Sequence, residues 1–177
     1  MGDIIEQLYL AVVSMVSLGV FGGLAFYIMH ASHSRWREFE LFYAAISPRE
    51  PIAKKLAGML RIAPPGFRWG HLSGELKSER YPPVVLGVHP DGLSLTIVPP
   101  FRHGCRDLFL PFDQITIEPA AWDLVGRAYG IRMEGVGGLE ITMFSNVMEW
   151  AAEKSEILGL MLQRAELVRR MSSPAGG

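Results

Sequence analysis

Residues 8–29 read LYLAVVSMVSLGVFGGLAFYIM, and no other stretch constrains the chain as strongly. The run holds no charge, no proline and no amide side chain. About 20 apolar residues suffice to span a bilayer core as a helix. Eleven of these 22 positions are Leu, Ile, Val or Phe, each favouring insertion at a helix centre. A buried helix of a globular protein is the alternative, but such helices seldom lack a polar stripe for so long. A cleaved signal peptide is disfavoured, because the preceding MGDIIEQ has no Lys or Arg and MHASHSRW is a poor cleavage site. The expectation is therefore a single transmembrane helix. Gly19 and Gly23 within it form a GxxxG pair, a spacing that lets two such helices approach closely. Homo- or hetero-association through that face is one reading of the pair, and the ordinary glycine content of membrane helices is the other.

The flanks of this segment orient it. No Lys or Arg precedes it, whereas Arg35, Arg37, Arg49, Lys54 and Lys55 follow. The positive-inside rule then places the N-terminus outside and residues 30–177 in the cytoplasm, at the inner membrane of a bacterium. A net charge of -1 and a pI near 6.5 provide no basic field for nucleic acid. One cysteine, Cys105, excludes a disulfide framework.

Beyond the anchor the hydrophobic period changes twice. In HASHSRWREFELFYAAIS, the residues Trp36, Phe39, Phe42, Tyr43 and Ile46 recur every three or four positions, as on an amphipathic helix. Its aromatic face either packs on the folded domain or lies at a lipid surface. PIAKKLAGMLRIAPPG reads as a second short helix, with Ile52, Leu56, Met59 and Leu60 on one face. From Phe67 the period becomes two. FRWGHLSGEL, VVLGVH, LSLTIV, DLFLPF, DQITIEP, YGIRMEG and LEITMF read as strands. Pro90-Asp91-Gly92 and Val136-Gly137-Gly138 supply turns, the first with glycine expected at positive φ. SNVMEWAAEKSEILGLMLQRAELVRRM reads as one helix, with Asn146 and Glu149 as a capping box.

Short antiparallel strands followed by one amphipathic helix make an α+β chain, a strongly bent sheet or half-barrel capped by that helix. This order resembles the pleckstrin-homology-like (PH-like) superfold. GVHPDGLSLTI and DLFLPFDQITIEP are similar to strands of bacterial PH-like and GRAM-like domains, with Leu110-Pro111-Phe112 ahead of a wall strand. The whole chain resembles small membrane-anchored bacterial proteins of uncharacterised function. The expected division is an anchor over 1–30, juxtamembrane amphipathic helices over 31–65, the PH-like domain over 66–171 and a disordered tail over 172–177.

No catalytic motif is present. His89, His103 and Cys105 are too few for a zinc site. A Cys105 nucleophile with His103 lacks an orienting third group. Neither a metal, a cofactor nor an enzymatic activity is expected. The resemblance implies a module that holds an unknown protein partner. Pro99, Pro100, Phe101, Arg102, His103 and Arg106 form the expected partner loop. A groove between a sheet edge and the C-terminal helix, near Trp150, is a further place for a partner. The alternative is a reader of anionic lipid, using Arg35, Trp36, Arg37, Phe39, Lys54 and Lys55.

Overall fold

The computed structural model describes residues 12–23, 34–45, 49–64, 79–99, 101–102, 104–121, 127–136 and 138–172. They form two separate units, residues 1–34 and 35–177. In the first, helix α1 covers residues 12–23. No helix among the described residues is long and apolar enough to cross a membrane. This corrects the expectation of a single-pass transmembrane helix, and with it the membrane anchor as part of the fold class. Gly19 and Gly23 lie on α1, with nothing within 4 Å of a Cβ built at either.

The second unit is α+β, with a curled seven-stranded antiparallel half-barrel. Helix α2 (Ser34–Tyr43) precedes β1 (Ala53–Ala63), β2 (Glu79–Val88), β3 (Gly92–Ile97) and β4 (Leu108–Pro111). A 3-10 turn, Phe112–Gln114, leads to β5 (Ile115–Ala121), β6 (Arg127–Met133) and β7 (Glu140–Phe144). Helices α3 (Ser145–Ala152) and α4 (Glu156–Ser172) end the chain. The strand order is β4-β3-β2-β1-β7-β6-β5. Two meanders are therefore joined through β1, with the open seam between β4 and β5.

Residues 53–63 were expected to be helical and are instead the central strand. The reason is a bulge. Leu56 pairs with Val85 and Gly58 with Val84, so Ala57 is an extra residue. Gly58 sits at φ 75°, a conformation that costs glycine little. The insertion shifts the phase of alternation along the strand. Leu56 and Met59 end up exposed, while Leu60 and Ile62 are buried. Spacings of three and four across a bulge thus imitate a helical face. Below the bulge β1 also pairs with β7, through Arg61–Thr142, Ile62–Ile141 and Ala63–Glu140.

The inner face holds one cluster, including Leu60, Ile62, Leu86, Leu95, Leu110 and Ile131. Trp36, Phe39 and Tyr43 of α2 belong to it, as do Leu158, Leu162 and Ala165 of α4. The aromatic face of α2 therefore packs on the domain. The Trp36 indole donates to Arg106 O (2.9 Å), and the Tyr43 hydroxyl donates to Glu134 O. Beyond Tyr43, Ala44 bridges Leu108 and the Ala45 N–H donates to Asp107 O (2.8 Å), covering part of the β4 edge. At the other edge, the Glu134 N–H donates to Gln114 O. With the register of β5 on β6, this turns the backbone groups of residues 115, 117 and 119 outward. Pro119 thus lacks its N–H on the unpaired side, where an edge strand tolerates proline.

Three local readings change. The C-terminal helix is two helices, broken at residues 153–155. Ser155 is 9% exposed, and its hydroxyl accepts from the Leu158 N–H, capping α4. Asn146 lies inside α3, whose N-cap is Phe144 without a side-chain cap bond. Gly92 closes the β2–β3 hairpin but does not sit at positive φ. It is required by close approach, since a Cβ there would lie 2.5 Å from Leu110 O and 2.8 Å from Phe109 Cζ. The expected strand over 67–76 lies outside the described residues, as does the tail over 173–177.

Gly92→Ala is expected to destabilise the domain by about 1–3 kcal/mol through overpacking against β4. Denaturant unfolding monitored by tryptophan fluorescence measures this, and an unchanged midpoint would contradict the register of β3 on β4.

Candidate functional site

The outer face of β2, β3 and β4 carries a groove. Val84, Leu86 and Val88 point inward, so Val85, Gly87 and His89 point outward. Ser94 and Thr96 of β3, with Phe109 and Pro111 of β4, share that outer face. Phe42, Tyr43, Ala44, Ala45, Arg49, Pro51 and Lys54 border it, enclosing a volume of about 570 Å³. That volume suits a small ligand or a few residues of an extended peptide.

The floor of the groove is polar and ordered. His89 is 2% exposed although it faces outward. Its Nε2 lies 2.9 Å from Ser94 Oγ, and its ring meets Phe109 edge-on at 5.4 Å. Opposite, Gly87 leaves the room that Ser94 Oγ occupies, and a Cβ there would also crowd Pro51. The Arg49 guanidinium stacks 5.0 Å above Phe109 and pairs with Asp91 at 2.6 Å. Arg49 and Asp91 are each 57% exposed, so this pair orients Arg49 more than it stabilises the fold. Burial lowers the His89 pKa below its ordinary 6.5, with Asp91 pulling it up and Arg49 and Lys54 lowering it further. The imidazole is thus neutral at neutral pH.

A histidine beside a serine hydroxyl invites a nucleophilic reading. Such chemistry needs a group that orients the second ring nitrogen and donors for an oxyanion. Among the described residues, His89 Nδ1 has no such partner. Cys105 is no better suited. It is buried, and burial pushes its thiol up to about 11, with Glu40 raising it and Arg37 lowering it. It stays a protonated thiol at neutral pH. No group of three His, Cys, Asp or Glu among the described residues is placed to hold a metal ion.

The residues singled out in the sequence are dispersed. Of the expected partner loop, Pro99 is exposed, while Phe101 packs against the core. Arg102 folds back onto Asp107 at 3.1 Å. The Arg106 backbone holds α2 from both sides, with its N–H on Glu40 Oε1 (2.6 Å) and its carbonyl on Trp36. Pro100 and His103 lie outside the described residues. Of the expected lipid contacts, Trp36 and Phe39 are fully buried in the core and meet no surface. Arg37 and Lys54 are exposed on different elements. Lys55 caps the Trp150 ring at 5.3 Å. Arg35 lies in the first turn of α2, and its side chain is outside the described set. The groove residues His89, Ser94 and Phe109 were missed as a group. The signal for His89 and Ser94 is polarity at alternate positions of strands whose other face is apolar; Phe109 carries none.

A second hollow, about 810 Å³, runs beside α4 and β6. The Tyr129 hydroxyl donates to Glu166 (2.6 Å), and Arg169 pairs with Glu166 at 2.8 Å. Arg169 also donates to Ala128 O and stacks 5.2 Å from the Tyr129 ring. Burial, then the Glu166 bond, pushes Tyr129 up to about 12. This network fastens α4 to β6.

Compared with known proteins, the chain matches no family model and no curated sequence.

Two outcomes follow from the site chemistry. The lowered pKa of His89 contributes stability that is full above pH 6.5 and is lost as pH falls below it. Thermal melting against pH should show this acid slope in the natural protein and a flatter one in His89→Gln; equal slopes would refute the assignment. Cys105 should react with a disulfide reagent at neutral pH only after unfolding, and fast labelling of the native chain would contradict its burial.

Proposed function

We propose that residues 35–177 form a PH-like binding module whose working surface is the outer-face groove. The meander order with its seam between β4 and β5, and terminal helices packed on the inner face, support the PH-like reading. The occupant is an extended polypeptide segment bearing an apolar side chain and a carboxylate. One observation carries this. At the groove, Phe42 is 62% exposed, and Lys54 is exposed with no carboxylate partner among the described residues. An exposed aromatic ring and an ammonium without a carboxylate partner, lining one groove, complement a segment with an apolar and an acidic residue. The Ser94 and Thr96 hydroxyls on that face supply hydrogen bonds to such a segment. The protonated Cys105 thiol is not poised as a nucleophile. A lipid-reading role draws no support from α2, whose Trp36 and Phe39 are in the core.

A photoreactive amino acid at Phe42 of the full chain tests this in the native cells. A discrete protein adduct is expected, lost on Lys54→Glu and retained when the same charge reversal is made at the exposed Lys154, between α3 and α4. Absence of any adduct, or adducts indifferent to Lys54→Glu, would overturn the reading.

A further inference from the structure

Helix α4 buries one face in the core and leaves a second apolar face uncovered. Leu158, Leu162 and Ala165 are inside. Ile157, Leu160, Leu167 and Met171 are 48%, 61%, 60% and 86% exposed. With Arg164 they recur at spacings of three and four, the heptad seam of a helix that packs on another helix. An ordinary outer face would be charged at these positions.

The charges beside the seam indicate what covers it. Glu156, Gln163 and Arg170 lie seven residues apart along one flank. Glu156 and Arg170 have no ion pair among the described residues, unlike Glu166 and Arg169, which are committed to Tyr129. Laid parallel, two copies of α4 would bring these flanking charges beside Met161 and Val168. Laid antiparallel about Gln163, Glu156 of each copy meets Arg170 of the other, and Gln163 meets itself. Ile157 then faces Leu167 of the second copy. Leu160 faces Arg164, whose aliphatic stem can cover it while the guanidinium reaches water.

We propose that α4 is a self-association surface, and that its occupant is α4 of a second copy, antiparallel and two-fold symmetric. This is independent of the groove on β2–β4.

The test uses the full chain carrying Gln163→Cys or Met171→Cys, with native Cys105 buried and silent. Mild oxidation should cross-link the Gln163→Cys chain into dimers and leave Met171→Cys monomeric. Cross-linking through Met171→Cys alone would indicate parallel helices, and no cross-link in either would exclude the interface; both outcomes overturn the proposal. Charge exchange gives a second readout. Glu156→Arg or Arg170→Glu alone should weaken dimerisation about tenfold, since symmetry converts two attractions into two repulsions. The double exchange should restore it in concentration-dependent light scattering. Failure of the double exchange to restore it refutes the antiparallel pairing.

Discussion

The shared pairing of β1 is the constraint on which the domain rests. One strand must satisfy β2 along most of its length and β7 at its end, so it cannot stay straight. The bulge at Ala57 and the positive φ of Gly58 provide the turn. They also divide the strand chemically. Its first half presents Lys54, Leu56 and Met59 outward, while its second half buries Leu60, Ile62 and Ala63. Without that bend the two meanders would be separate sheets, each with an uncovered apolar face.

Helix α2 closes the system from the other side. Trp36 and Tyr43 are anchored at opposite ends of the sheet path, on Arg106 and Glu134. This places Ala44 and Ala45 on the β4 edge, and Arg49 and Pro51 border the outer face of β2–β4. The groove is thus a consequence of where α2 is fastened. The residues lining it are held in turn: Phe109 lies between His89 and Arg49, and Ser94 occupies the room left by Gly87. A surface prepared in this way loses little entropy when it is occupied.

Much of the architecture was legible in the sequence. Period-two runs gave β3 to β7, and the turn between β2 and β3 was read at the right place, although Gly92 serves close approach and not a positive φ. The aromatic period of α2 was legible as a helix, but not which surface it meets: Trp36 and Phe39, offered as lipid contacts, are buried, while Phe42 on the same period is exposed. Three features were not legible. The bulge in β1 shifted the phase of its side chains and read as a helix. Ser155 interrupted a pattern that is helical on both sides, so α3 and α4 read as one. The apolar run over residues 8–29 read as a membrane span, whereas the helix described there covers residues 12–23. The candidate site was the least legible part. His89, Ser94 and Phe109 sit on three strands, and only the register brings them together. The loop at 99–106 looked available because it is polar and proline-rich, yet Arg102, Phe101 and the Arg106 backbone are turned to structural use.

The half-barrel depends most directly on residues 53–63 being a bent strand shared by both halves of the sheet. Backbone NMR of the full chain tests this. Cross-strand contacts between Lys55 and Leu86 and between Ile62 and Ile141 are predicted, with sequential couplings typical of extended chain on both sides of Gly58. Contacts between residues three apart along 53–63, in place of those pairs, would make the segment a helix and contradict the half-barrel and the groove built on it.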